Sequence, residues 1–412
     1  MAAVTGYRSI VRAFRSRQFA LYTGFGIPSQ IGIWMQRVAV GWMIWELTHS
    51  GTWLGVLAFA DFFPTIVFSQ FAGVVADRFE RVRVAFVTQS AQLLFVLILL
   101  ALAVTGSVTP EALVAITALS GTAASFHQPV RQTIISRIVP REDLPAAIGI
   151  NSASWHGSRF VGPAIAGVVI AAWGVVPAIA INAMTYVGFL WAITRLDRLP
   201  PTPRRRTLRE IPAEIAEGWV YAARHPGIGP AYLILVVSSI VGRPVGELLP
   251  GFAAAVFGRG ADGLAWLTSM TGLGAMVAGL WIAQRGRVEG LTNVVALGML
   301  GLALSLAAFT ATDNLWVALP FIALVGACLT MTGSATQALV QNAVDDSVQG
   351  RILGIYGLIW LGGPALGSLV MGVLSEWVGL RWPVFGGAVI CLAAWAWAHR
   401  RRARMRQALE VP

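Results

Sequence analysis

The chain has 412 residues, of which 56% are hydrophobic and only 12% are charged. Soluble proteins carry about twice that charged fraction, so the composition excludes an ordinary soluble protein. The net charge is +11, and all 30 basic residues are arginines. Basic proteins often bind nucleic acid, but these arginines stand in short tracts between long apolar runs. That pattern is typical of a multi-span membrane protein and gives no reason to expect a nucleic-acid partner.

Twelve apolar runs are long enough to cross a bilayer, which takes about 20 residues of helix. We expect all of them to be helices, because lipid offers the backbone no hydrogen-bond partners and the runs are too long for barrel strands. The predicted spans are 20–46, 52–76, 84–105, 112–137, 144–172, 175–195, 228–256, 262–284, 291–311, 314–342, 350–376 and 381–399.

The placement of the arginines predicts the topology. One set of chain ends and loops is rich in arginine, whereas the opposite loops 47–51, 106–111 and 172–175 contain none; Arg259 and Arg381 are the exceptions. Because arginine-rich ends stay on the cytoplasmic side, both termini are expected in the cytoplasm of a bacterium, with the spans in its inner membrane. An even number of spans is then required, and twelve meets that condition.

A long polar stretch divides the chain into two sets of six spans. In it, Ile211, Ile215, Trp219 and Ala222 recur at helical spacing, which predicts an amphipathic helix. This helix either lies on the inner membrane surface, near anionic lipids, or is part of a solvated linker. The predicted organisation is a six-helix bundle at 1–195, a cytoplasmic linker at 196–227, a second six-helix bundle at 228–399 and a basic cytoplasmic tail at 400–412.

The two halves share a motif. Gly162-Pro163-Ala-Ile-Ala-Gly167 of the first half corresponds to Gly363-Pro364-Ala-Leu-Gly367 of the second, 201 residues later. Two six-span repeats with a substrate site between them are a recurring transporter architecture. The glycines of these motifs are expected to let helices approach closely, and the prolines to bend them.

The loop between the second and third spans carries a distinctive pattern. Gly73-Val-Val-Ala-Asp77-Arg78-Phe-Glu-Arg81 resembles the signature Gly-x-x-x-Asp-Arg-x-x-Arg of the major facilitator superfamily, at its expected place. The resemblance implies an all-helical fold of twelve spans in two bundles. It also implies that Gly73, Asp77, Arg78 and Arg81 form a cytoplasmic gate that latches the outward-facing state. The alternative is that these arginines only set the topology.

Further residues resemble one branch of that superfamily, which contains the enterobactin exporter and the macrolide efflux proteins. They are Trp34, Trp42, Leu47, Thr48, Ser50, Asn151, Arg159, Gly162, Pro163, Gly167, Asn182, Ala183 and Tyr186. The resemblance implies a secondary exporter driven by protons. The chain departs from related drug/proton antiporters at Thr117, where they carry an arginine, and at Ala166, where they carry a glycine.

Charged side chains inside spans indicate function, because burying one costs at least about 2.5 kcal/mol. Arg37 and Asp61 each lie twelve residues from His49 (49 − 37 and 61 − 49), so they have equal depth on antiparallel helices. Equal depth allows an ion pair, which would be either a proton switch, with Asp61 taking up the proton, or a static structural pair; the remaining alternative is no contact between them. Arg37 shares a helix face with Gln30 and Trp34, which indicates a cavity wall.

The seventh span contains a second pair of charges. Arg243 and Glu247 are four residues apart, with Pro244 between them, which predicts a kink. Glu247 is the second candidate for carrying the proton. The alternative is a self-neutralised pair that steadies a bent helix.

The remaining candidates are side chains that suit an anionic or aromatic ligand. Arg159 has no carboxylate nearby in sequence, so it is expected either to bind an anionic substrate group or to hydrogen-bond backbone carbonyls. His127 is either a packing residue or part of the cavity wall. Trp34, Trp155 and Trp360 fall well inside spans, where they either pack in the core or form a stacking surface.

These observations predict a proton-coupled exporter of a mid-sized, partly aromatic compound such as a siderophore, a macrolide-like drug or a secondary metabolite. An importer or facilitator of a small metabolite with the same fold is the alternative. The chain has no nucleotide-binding motif, metal-ligand cluster or set of catalytic groups in a shared loop, so neither an enzyme nor a cofactor is expected. The expected partners are the substrate, protons and anionic lipids, and the chain is expected to be a monomer.

Overall fold

The structure is a computed structural model that describes residues 11–197, 199, 211–344 and 346–410. Some residues within these ranges are described by their backbone alone: Ser69, Gln70, Gly73, Val74, Ala76, Asp77, residues 211–216, Asp346 and Ser347. The described part consists of helices joined by short turns. In chain order they are α1 (Arg17–Thr48), α2 (Gly51–Arg78), α3 (Arg81–Thr105), α4 (Pro110–Ile138), α5 (Leu144–Trp173), α6 (Val175–Thr194), α7 (Ile211–Arg224), α8 (Ile228–Val237), α9 (Val245–Gly251), α10 (Ala261–Arg285), α11 (Leu291–Thr310), α12 (Leu315–Ala343), α13 (Asp346–Val378) and α14 (Arg381–Leu409).

Each of the twelve predicted apolar runs coincides with helical structure. Within the described residues, nine helical segments are long and apolar enough to cross a membrane. The helices α1, α4 and α5 are long but do not meet that criterion. All three carry polar side chains that line an internal cavity, which lowers their mean hydropathy. The count of twelve spans and the cytoplasmic position of both termini stay predictions.

The seventh predicted span is not a regular helix. Two π-helical turns, Ser238–Gly242 and Phe252–Val256, interrupt it on either side of α9. Pro244 follows the first of them and has no backbone N–H to donate to the preceding turn, so the irregularity falls where the kink was predicted.

The last helix is longer than predicted. It runs without a break to Leu409, ten residues beyond the predicted end of the twelfth span at 399 (409 − 399). Arginine is a good helix former, so the basic tail continues the helix after the apolar run ends. Met405 and Leu409 are buried within this extension, which anchors it. The linker contains the helix α7, in which Ala222 is buried while Trp219 is exposed.

The chain divides into two compact units, Met1–Val40 with Val67–Arg206, and Gly41–Ile66 with Thr207–Pro412. In the first, α3 packs against α4 and α6; in the second, α12 packs against α10 and α11. The predicted bundle boundaries stay a prediction.

The glycine motifs bring helices into close contact in both units, as predicted. A Cβ atom on Gly162 of α5 would lie 2.6 Å from the Cβ of Trp34 and 2.8 Å from the carbonyl oxygen of Ile31, both on α1. In the second unit, Gly363 and Gly367 of α13 meet the backbone of the π-helical turn Ser238–Gly242 in the same way. Equivalent motifs therefore serve equivalent packing.

The outward surfaces of the helices are apolar. Val104 is 66% exposed, Leu297 62% and Trp377 82%. Exposed apolar side chains in such number indicate that lipid rather than water surrounds the helices.

Candidate functional site

A cavity of about 50 Å³ lies inside the first unit. Side chains from α1, α3, α4, α5 and α6 line it, so it is enclosed by helices of one unit. The polar and aromatic lining residues are Tyr22, Thr23, Ser29, Gln30, Gln89, His127, Arg131, Asn151, Ser154, Trp155 and Phe189.

Arg131 of α4 is the cation of this cavity. Its Nη2 donates to Oδ1 of Asn151 at 2.7 Å and lies 3.5 Å from Oε1 of Gln30. Its guanidinium carbon lies 5.1 Å from the centre of the Trp155 ring, within the range of a cation–π interaction. Neutral amides and an indole therefore hold the cation in place.

A tryptophan cluster extends from the cavity wall. The rings of Trp34 and Trp155 meet edge to face with centroids 6.0 Å apart. Two further guanidinium groups approach Trp34, Arg37 at 5.6 Å and Arg159 at 5.4 Å from its ring centre. The structure thus brings together Gln30, Trp34, Arg37, Trp155 and Arg159, which the sequence marked as cavity candidates.

His127 belongs to the same cavity. Its side chain is buried, and its Nδ1 lies 3.3 Å from the hydroxyl of Thr88. Arg131 follows one helical turn later on the same face of α4. His127 is therefore a packed side chain that also lines the cavity.

The second unit has its own half-buried arginine–tryptophan pair. Arg243 follows the π-helical turn, and its Nη1 donates to the carbonyl oxygen of Trp360 at 2.9 Å. Its guanidinium carbon lies only 4.0 Å from the centre of the Trp360 ring. Tyr356 stacks on Trp360 with ring centroids 5.9 Å apart. Glu247 lies in the first turn of α9, and its pairing with Arg243 stays a prediction.

The Arg37–Asp61 pair also stays a prediction. Arg37 lies on the part of α1 that belongs to the first unit, and Asp61 lies on the part of α2 that belongs to the second. Both side chains are partly buried.

The predicted cytoplasmic gate is described only in part. The structure describes Gly73 and Asp77 through their helical backbone alone. Arg78 is exposed at the end of α2, and Arg81 is buried at the start of α3. The group that caps α3 is Glu80, whose carboxylate accepts from the amides of Val82 and Arg83.

The same Glu80 carboxylate reaches the start of the linker. It accepts from the amide of Leu199 at 3.2 Å, and the carbonyl oxygen of Leu199 accepts from the amide of Arg81 at 3.3 Å. The loop of the predicted gate is therefore tied to the first residues after the sixth span.

The cavity lining includes four polar residues with long side chains or amides that were not predicted as site residues: Tyr22, Gln89, Arg131 and Asn151. Arg131 lies inside the predicted span 112–137, four residues after His127, so helical spacing alone placed it on the face that the sequence had already marked. Asn151 stood out only as a branch marker. Among the described residues, no group of three or more His, Cys, Asp or Glu is placed to hold a metal ion.

Long apolar helices with a polar, arginine-lined interior define a multi-span membrane transporter. The chain belongs to the transmembrane secretion effector family of the major facilitator superfamily, whose family model matches residues 9–411.

Two curated relatives cover most of the chain. It is 23% identical to the staphyloferrin A transporter of Staphylococcus aureus, over 88% of this chain and 91% of that protein. It is 22% identical to macrolide efflux protein A of Streptococcus pyogenes, over 87% and 89% of the two chains. These relatives confirm the predicted superfamily and its branch.

A solved structure shares the fold. A bacterial homologue of the human lysosomal transporter Spinster, in an inward-facing and unoccupied conformation, aligns with a TM-score of 0.74 at 16% identity. The alignment covers 97% of this chain and 99% of that one. At this identity, the similarity supports the fold alone.

Proposed function

We propose that the protein is a proton-coupled exporter of a mid-sized, partly aromatic compound that is anionic or neutral. The observation that carries the proposal is the pairing of half-buried arginines with tryptophans in both units, Arg131 with Trp155 and Arg243 with Trp360. A guanidinium binds carboxylates and phenolates through its planar fork, and an indole stacks on aromatic rings. A dication would be repelled by the same arginines.

The direction of transport rests on the relatives. One is named for macrolide efflux and another for staphyloferrin A transport, and both are transporters rather than enzymes. An exporter of a siderophore, a macrolide-like drug or another secondary metabolite fits these names and the ring-binding surfaces of the cavity. The compound would move by alternating access between the two six-helix bundles.

Proton coupling rests on the acidic residues within the spans. Asp61 and Glu247 are acidic side chains inside predicted spans, where charged groups are rare and mark proton pathways. Asp61 is the first candidate, with Arg37 as its partner, and Glu247 is the second. The proton gradient is then the energy source and no cofactor takes part.

The cellular setting follows from the charge distribution. We place the protein as a monomer in the inner membrane of a bacterium, with twelve spans and both termini in the cytoplasm. Arg400, Arg401, Arg402 and Arg404 are exposed at the end of α14, where anionic lipid head groups would be attracted to them.

Inverted membrane vesicles with a respiration-driven proton gradient test the proposal. A pH-sensitive dye reports proton movement while catecholate siderophores, macrolides, tetracyclines and cationic dyes are added to wild type, Asp61→Asn and Glu247→Gln. Glu111→Gln is the matched control, because Glu111 is exposed in the first turn of α4. We expect a siderophore or macrolide to release protons in wild type and the control but not in Asp61→Asn.

Other outcomes have defined meanings. Equal responses in wild type and Asp61→Asn, with loss in Glu247→Gln, would move the coupling to Glu247. No response to any compound, in vesicles that contain folded protein, would overturn the exporter. Substrate flux that ignores the proton gradient would favour the alternative, an importer or facilitator of a small metabolite.

A further inference from the structure

We propose that the Arg131 cavity is a carboxylate-binding subsite of the first unit, so that the transported compound carries a carboxylate. This inference deepens the proposed function, and it rests on that function because the ligand of the subsite is taken to be the transported compound. It concerns a position that neither the signature motif nor the branch markers include.

The first argument is charge. Arg131 is mostly buried, and its neighbours Asn151, Gln30 and Trp155 are neutral. No carboxylate is among the described side chains that line the cavity. A buried cation is costly unless an anion or a full set of acceptors compensates it. A ligand carboxylate would supply the missing charge.

The second argument is the unused hydrogen-bonding capacity of the arginine. Both of its bonds to amide oxygens use Nη2. Within the described part of the chain, Nε and Nη1 donate to no side chain or backbone oxygen. An arginine binds a carboxylate with two parallel N–H groups, so the fork has an edge available for a two-point contact.

The third argument comes from two other polar groups of the cavity wall. The hydroxyl of Tyr22 and Oε1 of Gln89 are buried without a hydrogen-bond partner among the described residues. The two residues are only 4% and 3% exposed. Buried polar atoms without partners are rare in proteins and require an explanation. A bound carboxylate would accept from the Tyr22 hydroxyl, and the Gln89 amide could turn its NH₂ toward it.

The size of the cavity limits what enters it. A water molecule needs about 10–15 Å³ of such volume, so about 50 Å³ holds three to five waters. That space fits a carboxylate with its first carbon atoms but not a whole mid-sized compound. The subsite therefore takes the acidic end of the ligand, and Trp155 offers a ring face beside it.

The experiment measures binding to the purified full-length protein, without transport. Benzoate and benzamide have the same shape and differ in charge, and isothermal titration calorimetry measures the affinity for each. We expect wild type to bind benzoate at least about tenfold more tightly than benzamide, the usual minimum for a charged hydrogen bond.

Three variants separate binding from structure. Arg131→Gln removes the cation, and we expect the preference for benzoate to vanish. Asn151→Asp keeps the side-chain shape and places a carboxylate on Arg131, so it should also abolish benzoate binding while it preserves the fold. Arg195→Gln is the matched control: this exposed arginine lies 5.4 Å from the ring of Trp191, outside the cavity, and its loss should change nothing.

A purely structural role for Arg131 predicts a different result. Asn151→Asp would then strengthen the link between α4 and α5 and leave benzoate binding as it is in wild type. Benzoate binding retained in Asn151→Asp, or equal binding of benzoate and benzamide by wild type, would overturn the subsite. If Arg131→Gln fails to fold, Asn151→Asp alone decides.

The vesicle assay keeps the two proposals apart. Proton release by an exported compound that is unaffected by Asn151→Asp would overturn the subsite and leave the exporter intact. Benzoate binding that depends on Arg131, in a protein that moves no proton with any compound, would support the subsite and overturn the exporter.

Discussion

Gly162 marks the closest approach between α5 and α1. A Cβ atom there would lie 2.8 Å from the carbonyl oxygen of Ile31, a backbone atom that cannot turn away. We predict that Gly162→Ala lowers the free energy of unfolding by about 1–3 kcal/mol, the usual cost of overpacking. Thermal unfolding in detergent measures it. Transport should fall as well, because the displaced Trp34 packs edge to face on Trp155, which lines the cavity.

Gly157 provides the control for this substitution. It lies in the same helix, and a Cβ atom on it would meet nothing within 4 Å. Alanine is the better helix former by roughly 0.5–1 kcal/mol, so Gly157→Ala should leave the protein unchanged or slightly more stable. Equal effects of the two substitutions would show that helix propensity, and not the contact with α1, determines the result.

At the residue scale, the sequence marked three of the residues that line the cavity, Gln30, His127 and Trp155, but not its cation. Gln30 and His127 were predicted because they interrupt apolar runs, and Trp155 because it is a tryptophan well inside a span. Arg131 also interrupts an apolar run, but it lies close to the arginine-rich end of its span, where a topological role accounts for an arginine. Helical spacing places it on the same face as His127, but only the contacts of its guanidinium with Gln30 of α1 and Asn151 of α5 show that this face lines a cavity.

At the scale of the elements, the carboxylate of Glu410 links the end of α14 to the start of α11. Glu410 accepts from the amides of Gly290 and Thr292 at 2.7 and 2.8 Å, at the start of α11. Burial raises the pKa of Glu410, but these amides, the Thr292 hydroxyl and Arg406 outweigh it, so the pKa lies below its ordinary value. Folding therefore favours the charged form of Glu410. The stabilisation by this link is fully present above the ordinary glutamate pKa of about 4.3, and it is lost as the pH falls through the lowered pKa of the folded protein.

We predict that Glu410→Gln speeds hydrogen exchange of the Gly290 and Thr292 amides about fivefold at neutral pH, because a cap of this kind contributes about 1 kcal/mol. Hydrogen exchange with mass spectrometry measures the rate. Wild type and variant should converge as the pH falls below the ordinary pKa of glutamate, after correction for intrinsic exchange. Glu289→Gln, at an exposed neighbouring carboxylate, should have no effect. A wild-type rate independent of pH would contradict the role of the Glu410 charge.

A second element-scale link joins the α2–α3 loop to the linker through Glu80. We predict that Glu80→Ala frays the start of α3 by about 1 kcal/mol and releases Leu199, so trypsin should cleave faster at the arginines of 204–206. Glu142→Ala is the control, since Glu142 is an exposed carboxylate in another loop of the same unit. Unchanged cleavage in Glu80→Ala would show that the linker start is held by other contacts.

The helices themselves were largely predictable, for a physical reason. A bilayer demands long, hydrogen-bonded apolar segments, and hydropathy reports them directly. The π-helical turns of the seventh span were not predictable beyond a kink near Pro244. The first of them lies against Gly363 and Gly367 of α13, and such a contact depends on the tertiary fold. The extension of α14 to Leu409 was missed because the apolar run ends at residue 399, whereas the arginine-rich tail that follows keeps a high helix propensity.

At the scale of the molecule, the repeated motifs place matching contacts in both units, yet the units differ in chemistry. The first encloses Arg131 among neutral amides, whereas the second sets Arg243 directly on the Trp360 ring beside an interrupted helix. A repeat thus conserves the packing of helices while the polar interior diverges.

An even number of spans puts both termini on the same side of the membrane, and an odd number puts them on opposite sides. Labelling of introduced cysteines tests this for the whole chain. We predict that Arg15→Cys and Ala403→Cys resist a membrane-impermeant maleimide added to intact cells, whereas Ser107→Cys reacts, because arginine-rich ends stay inside. All three positions are exposed. The native cysteines, Cys328 and Cys391, are buried and unpaired, so the unmodified protein gives the background. Permeabilised cells, in which all three variants should react, control for reactivity. Labelling of Ala403→Cys but not Arg15→Cys in intact cells would require an odd number of spans and would contradict the twelve-span arrangement.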